Sequence, residues 1–463
     1  MSEQLSQQHT GTLVLSDTES YVGDTVSLQG RNLAPETEYE IRWHSVEGSW
    51  GILEGNEVVG PQYRPRTDVL GTVTTDESGR FDEEMEVPED YGGEHDIEIR
   101  HGEETVAEAT LEIHQHFELD RTTAPLGETF TVVGYGLGPD KFENNYQITW
   151  DNQVVGFVTG IKNRGTAAAE IRAVGPVGEH PIQVWRNYRG VPFLQNNTQS
   201  PFGKVCNDRE SMWTVEVTEP ESEFPTAWSD TTFDEQPLAQ HVVEPEASTG
   251  ADLSITPTSG QAGTEATIEG DGFPADTAVE LVWYTHDGHC PTNVPITPEP
   301  REDVLGPVET DGEGAFEHEF TIPTSVGSTR SILAEVDGES VASVGFMQQP
   351  DVHSISPTSG PVGTEIEIEL SGVGWPRYEN AYYLVYDNSP VGYVCGLDND
   401  DGVVRTRIPA AGEPGTHFID IYPSFYDIQE DQPDFELMPH LSYGNNHPVR
   451  PMPALHFTFE ITE

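Results

Sequence analysis

The sequence predicts an all-β protein of four tandem β-sandwich modules, arranged as a duplicated two-domain unit. Three observations carry that prediction. Segments such as Thr129-Phe-Thr-Val-Val133, Thr364-Glu-Ile-Glu-Ile368 and Glu94-His-Asp-Ile-Glu-Ile-Arg100 alternate apolar and polar residues, the period of half-buried strands. Gly and Pro punctuate the chain at intervals of about 8–12 residues, the spacing of sandwich strands. Two different modules each occur twice, and no long stretch shows a helical apolar period, so helix is expected to be scarce.

Taken in order, residues 1–11 form an N-terminal tail and 12–116 the first module, A. A recurs as A′ at 253–349: Tyr21-Val-Gly-Asp-Thr-Val-Ser-Leu-Gln-Gly30 aligns with Gln261-Ala-Gly-Thr-Glu-Ala-Thr-Ile-Glu-Gly270, and Trp43 with Trp283. The same register pairs Asp68-Val-Leu-Gly71 with Asp303-Val-Leu-Gly306, Asp76 with Asp311, Gly79 with Gly314 and Phe81 with Phe316. Module B, 117–219, recurs as B′, 350–463. There Asp151-Asn152, Gly156 and Gly160 match Asp387-Asn388, Gly392 and Gly396, while Gly178-Glu-His180 matches Gly415-Thr-His417. Both B-type modules carry a long late insertion. Between the halves, 220–252 is rich in Pro and acidic residues, a composition that favours extended, solvated chain. Its aromatics Phe224, Trp228 and Phe233 are unexpected in a free spacer and suggest packing against one of the halves.

The charge balance is extreme. The 463 residues hold 81 Asp and Glu against 21 Lys and Arg, a formal net charge of -60, and lysine occurs only at 141, 162 and 204. Solubility of a small domain needs a net charge of only about 2–8. Self-repulsion on this scale opposes compaction at low ionic strength, whereas molar salt cuts the screening length to about 3 Å. Carboxylate-rich, lysine-poor surfaces of this kind resemble those of halophilic archaeal proteins. The 8 Trp, 16 Tyr and 18 Phe argue against a disordered acidic chain. A nucleic-acid partner is excluded by the missing basic footprint. Cys206, Cys290 and Cys395 form neither a CxxC pair nor a disulfide framework. No apolar run reaches the roughly 18 residues of a membrane helix, so membrane insertion is not expected. Met1-Ser-Glu-Gln-Leu-Ser6 lacks the pattern of a secretion signal.

Ile255-Thr-Pro-Thr-Ser-Gly260 with Gly263-Thr264, and Ile355-Ser-Pro-Thr-Ser-Gly360 with Gly363-Thr364, resemble the opening of IPT/TIG-type immunoglobulin-like domains. In that family a Pro-x-x-Gly turn leads into the first long strand and a Gly-x-Gly-Phe step ends it. Gly270-Asp-Gly-Phe273 fits that step, and Gly372-Val-Gly-Trp375 fits with Trp for Phe. A and B lack the full turn. The resemblance implies four immunoglobulin-like sandwiches and structural, cell-surface or recognition roles, including virion decorations. It supplies turn signals and no chemistry, and fold alone does not fix function.

The duplication also weighs the candidate sites, since a feature the module requires recurs in both copies. Asp398-Asn-Asp-Asp-Gly402 resembles part of a calcium loop, but its spacing fails the EF-hand pattern and its counterpart Lys162-Asn-Arg-Gly165 would repel a cation. His286-Asp-Gly-His-Cys290 offers metal donors that Val46-Glu-Gly-Ser-Trp50 lacks. His114-Gln-His116 reads as a hinge feature between A and B. His180 and His417 recur and read as structural, each opening a late strand and bonding a neighbouring loop. Asp76 and Asp311 belong to hairpin turns. No catalytic, cofactor-binding or metal-ligating set is assigned, and no cofactor is expected.

What remains as a place for interaction is the pair of insertions, because long loops in compact domains are usually functional or disordered. The first offers Tyr188, Phe193, Asn196 and Asn197. The second offers Phe425, Tyr426, Phe435, Tyr443, Asn445 and Asn446. Aromatic and Asn side chains suit protein or glycan contacts, and the competing reading is that these loops cover their own module or its neighbour. The sequence thus leads to the expectation of a non-enzymatic structural or attachment protein of a halophilic archaeal system. Its place would be the virion surface or tail, after a cytoplasmic stage before assembly. Expected partners are other structural proteins or surface glycans, with homo-oligomers allowed. The alternatives are a cell-surface adhesin or surface-layer protein on the outer face of the envelope, and an accessory module of a carbohydrate-active enzyme.

Overall fold

In the computed structural model the described residues are 11–53, 57–139, 144–186, 209–230, 236–247, 250–287, 299–374, 381–396, 402–425, 438–448 and 450–463. They form four immunoglobulin-like β-sandwiches, in two tandem pairs. Each module packs a three-stranded sheet on a larger one of five strands, or six in B′. In A the strands Thr12–Leu15, Thr25–Arg31 and Phe81–Glu86 make the small sheet, and Glu38–Leu53, Glu57–Thr74, Gly93–His101 and Glu104–Ile113 the main body of the large one. The other modules repeat this order. In all four a short early strand crosses over to pair in parallel with the last strand: Glu19–Ser20 in A, Thr123–Pro125 in B, Ser259–Gly260 in A′ and Ser359–Gly360 in B′. Among the described residues the one α-helical turn is Tyr443–Asn446.

Alternation decides which side chains enter each core. Thr25–Arg31 buries Val26, Leu28 and Gly30, and Thr129–Tyr135 buries Phe130, Val132 and Gly134. The repeated Trp43 and Trp283 are fully enclosed. The repeated glycines Gly79 and Gly314 are required by close approach: a Cβ there would lie 2.1 Å from the Leu33 carbonyl oxygen and 2.0 Å from that of Phe273, at φ +70° and +84°. Asp76 and Asp311 accept the backbone N–H groups that close the same two turns, Ser78 and Arg80 in one, Glu313 and Ala315 in the other. Each large sheet has a bulge at the equivalent position of its outer strand pair, Ile41/Arg42, Ile148/Thr149, Leu281/Val282 and Leu384/Val385, which twists its outermost strand.

A and A′ have cores of their own, but the core of B is shared. Val385, Phe418, Tyr422, Leu441 and Ala454 of B′ pack into it, and Phe224 and Trp228 lie against it. The Pro/acidic segment therefore does not run free. Ala227–Ser229 pairs antiparallel with the last strand, Leu455–Ile461, and becomes the extra strand of B′. Further along, Leu238 N–H donates to Thr329 Oγ1 and Val243 N–H to Ser331 Oγ of A′. Phe233 lies outside the described residues.

Candidate functional site

The most unusual chemistry lies where B, B′ and the connecting segment meet. The strand Ala167–Arg172 of B ends on Arg172, and Gly415–Ser424 of B′ brings up Asp420 from a run that is otherwise apolar, Phe418-Ile-Asp-Ile-Tyr422. Both side chains are buried, Asp420 at 1% exposure and Arg172 at 4%. The guanidinium donates from Nη2 to Asp420 Oδ1 at 2.7 Å and from Nε to both carboxylate oxygens at 3.1 Å, while Nη1 donates to the Gly127 carbonyl. His456, on the last strand, donates through Nδ1 to Asp420 at 2.6 Å and through Nε2 to Asp230 at 2.9 Å. Asp230 also accepts from the Tyr443 hydroxyl and the Ala454 N–H. Trp228 covers the cluster, stacked on His456 at 5.1 Å with the guanidinium 5.3 Å from its ring centre.

Two cations thus face two anions, with Arg172, Asp420 and His456 buried and the Asp230 side chain 29% exposed. Burial alone would raise the Asp420 carboxyl, but the Arg172 charge and the His456 bond hold it well below the usual carboxylate range. Burial likewise opposes charge on His456, yet its bonds to Asp230 and Asp420 push its pKa up. Asp230 is lowered against its burial by His456 and Tyr443. A cleft of about 360 Å³ opens beside the cluster, lined by Phe224, Trp228, Tyr422 and Tyr443 with Glu128 and Glu170. Arg172–Asp420 pairs B with B′, and His456 ties that pair to Asp230 of the connecting segment, so the geometry of the cluster is that of a joint.

A second junction joins three modules. Val58 of A, Phe157 and Ile161 of B, and Phe425 of B′ form one buried cluster, against which Trp50 and Met438 pack. The long hairpin of A, Glu38–Leu53 with Glu57–Thr74, reaches it, and its Trp50 ring meets Phe425 edge-on at 5.3 Å. From B′, residues 439–442 lie along the outer strand of B, Gln153–Val158. His440 stacks on Phe157 at 4.9 Å and contacts Ser442 Oγ through Nε2. Ser442 Oγ donates to Thr159 O, so it accepts from Thr159 N–H and from a protonated His440 Nε2. Burial, with Lys162 nearby, pushes the His440 pKa down to about 3, and His447 is also lowered by burial, His440, Lys162 and Arg450.

The sequence candidates fall as follows. Phe425 and Asn446 are fully buried, Asn446 accepting from Lys162 N–H and donating to Thr166 O of B. Tyr443 bonds Asp230, and Asn445 accepts from Asn446. Phe425, Tyr443 and Asn446 thus meet B or the connecting segment at the two junctions, while Asn445 is exposed and bonds its own neighbour. Tyr188, Phe193, Asn196, Asn197, Tyr426 and Phe435 lie outside the described residues, as do Asp398–Asp401 and Gly288–Cys290.

His180 donates to Asp151 at 2.7 Å and to the Pro176 carbonyl, and stacks on Trp150. His417 repeats this with Asp387, Glu413 and Tyr386. Each of the two rings thus has an oxygen within hydrogen-bond distance of both nitrogens, which fixes its orientation. Burial opposes charge on His417, but Asp387 and the Glu413 carbonyl raise its pKa. The same device occurs a third time in A, where His95 stacks on Trp43 between the His44 and Tyr91 carbonyls. Gly93-Glu-His95 carries the same Gly-x-His signal and was open to the same reading. His286 is held by Arg330 at 3.2 Å, and burial followed by that charge lowers its pKa to about 4. At the A–B junction His116 stacks on Tyr135, while Tyr21 meets both His114 and His116. His114 also stands with Glu19 and Glu112, their donor atoms within 4.8 Å of one another. A search for paired His and Cys passes over those two carboxylates, which come from separate strands.

No known family's profile matches the chain, and no curated protein matches it. Among solved structures, alpha-2-macroglobulin of Escherichia coli overlaps at 8% identity and a TM-score of 0.18, over 96% of this chain and 31% of that one. The N-terminal eight Ig domains of Down Syndrome Cell Adhesion Molecule give 11% and 0.16, over 87% and 56%. A putative membrane anchored protein of Corynebacterium diphtheriae gives 9% and 0.17, over 98% and 91%. The chain spans about a third of the macroglobulin. Overlap this loose carries no argument about function.

Proposed function

We propose that this is a non-enzymatic structural or attachment protein of a halophilic archaeal system, set on a virion surface or tail and making protein or glycan contacts. Within it immunoglobulin-like modules span 12–116, 117–219, 253–349 and 350–463, the last two IPT/TIG-like, with 220–252 as the connecting segment. The observation that supports the reading is the Arg172–Asp420–His456–Asp230 joint. Tandem modules that only carry separate sites need no such joint, because linked domains move relative to one another by default. A chain that holds a surface at a fixed distance and orientation does need one. The net charge of -60 supports the salt-rich setting.

Two measurements test the proposal. Mass spectrometry of purified virions and of cell envelopes asks where the intact chain occurs. Enrichment in virions is expected, enrichment in envelopes favours the adhesin or surface-layer alternative, and presence in neither refutes both. Dialysis from molar to millimolar salt is expected to abolish the near-UV signal of the packed aromatics. A signal unchanged in millimolar salt would refute the halophilic setting.

A further inference from the structure

The two B-type modules have the same outermost strand, and the fold treats the two copies differently. In B this strand, Gln153–Val158, is extended by a segment of B′. Phe157 N–H donates to Pro439 O at 2.9 Å, Leu441 N–H donates to Phe157 O at 2.8 Å, and Phe157 and His440 form a parallel bridge. Residues 439–442 therefore act as an added strand, and Val155 to Val158 are buried beneath them. A Cβ at Gly156 would lie 2.4 Å from Pro439 O and 2.8 Å from the Leu441 side chain, so the approach requires glycine.

In B′ the equivalent strand is Ser389–Cys395, in the same register. Gly392 faces Leu384 as Gly156 faces Ile148, with the same bulge one residue on. Val391, Gly392 and Tyr393 thus occupy the places of Val155, Gly156 and Phe157. Here they are open: Val391 is 52% exposed, Tyr393 is 59% exposed, and a Cβ at Gly392 would meet nothing within 4 Å. Among the described residues the strand ends its sheet, with no added segment. Sheet edges are ordinarily protected by charge, proline, a bulge or a covering segment. This strand has Pro390 and a bulge at its start, yet Val391 to Tyr393 is an exposed, uncharged run in a chain with 81 acidic residues.

We infer that Val391–Tyr393, in the outer strand of B′, is a docking edge that takes an extended segment of a partner protein as a parallel added strand. The segment seated on the equivalent edge of B gives the chemistry of the occupant. It presents a carbonyl and, two residues on, an N–H to the backbone of Tyr393, as Pro439 and Leu441 do to Phe157. It lays a leucine-sized apolar side chain over Gly392, as Leu441 lies over Gly156. It carries no acidic residue, because it must approach a surface whose net charge is -60. The inference deepens the attachment reading by stating what kind of partner segment the protein holds.

The probe is a fluorescent peptide of residues 438–443, Met-Pro-His-Leu-Ser-Tyr, blocked at both ends and titrated into the full chain in molar salt with anisotropy as readout. Saturable binding is expected. Gly392→Val should weaken it at least tenfold while leaving the chain's urea midpoint unchanged, since that Cβ meets nothing in the fold. N-methylation of the peptide's leucine should weaken binding by a similar factor, and this control requires no protein variant. Absence of saturable binding overturns the inference, as does binding that neither change weakens. Self-association of the chain that Gly392→Val abolishes, without peptide binding, also overturns the partner assignment, in favour of a second copy. Peptide binding by a chain found in neither virions nor envelopes would refute the proposed function and leave this inference standing.

Discussion

Replacing Arg172 by Met tests the joint directly. The substitution keeps much of the side-chain volume but removes three charged hydrogen bonds to Asp420 and one to the Gly127 carbonyl. It leaves a carboxylate at 1% exposure with His456 as its remaining cation. Breaking a buried pair from one side costs about 3–5 kcal/mol, mostly through the charge left behind. With a urea dependence of about 2 kcal/mol per molar, the midpoint should fall by about 2 M. Urea is the denaturant of choice because guanidinium would also screen the surface. Fluorescence is a suitable signal, since Trp228 stacks on His456 beside the guanidinium. The double variant Arg172→Met with Asp420→Leu should recover at least half of the loss, because an apolar pair leaves no stranded charge. A fall of less than about 0.5 M for the single variant would correspond to under about 1 kcal/mol, the worth of a surface ion pair, and would refute the joint as an energetic clamp.

The junction that holds His440 should be acid-sensitive. Its folded pKa of about 3 lies below the ordinary histidine value, so its contribution is complete above pH of about 6.5 and is lost as pH falls toward the folded value, by about 1.4 kcal/mol per unit. Urea midpoints measured between pH 7 and 5 should show a slope of that order that His440→Gln reduces; an unchanged slope would contradict the burial argument. His456 and His417 act with the opposite sign, their contributions being complete below about pH 6.5 and lost as pH rises through their raised folded values. Gly79→Ala and Gly314→Ala should each cost at least 2 kcal/mol, roughly twice the conformational cost alone, because the new Cβ meets a carbonyl oxygen. Gly23→Ala, at φ +85° with nothing within 4 Å, is the control and should cost only about 1 kcal/mol in the same denaturation assay.

The sandwich fold was legible because its signals are local. Alternation put Val26, Leu28, Phe130 and Val132 inward, and the repeated Asp-x-x-Gly turns recur as the same hydrogen-bonded corner in A and A′. The joint was not legible, because its members lie far apart in sequence. Arg172 and Asp420 are 248 residues apart, and Asp230 and His456 226 apart. The local trace they leave is a polar residue where a strand is otherwise apolar, as at Asp420. The comparison of copies that sorted the metal candidates also hid the joint, since a contact between B and B′ uses different residues in each. Arg172 and Asp420 occupy non-equivalent strands of their modules, so no repeat could display them.

That asymmetry bears on how a chain of charge -60 stays together. Molar salt would cut the reach of its surface repulsion to about 3 Å, and dilution would remove that screening. The joint does not share this dependence. Arg172 and Asp420 pair where almost no solvent reaches, with His456 buried beside them and Asp230 at the exposed end, and buried pairs are screened little by salt. A and A′ have self-contained cores, whereas B draws Phe418, Tyr422 and Leu441 from B′ into its own. Dilution should therefore act unevenly, with A and A′ opening first and the B–B′ pair last, because surface repulsion must there work against both a shared core and a buried ion pair. Two similar modules thus share one core and one buried ion pair, and they are expected to unfold together.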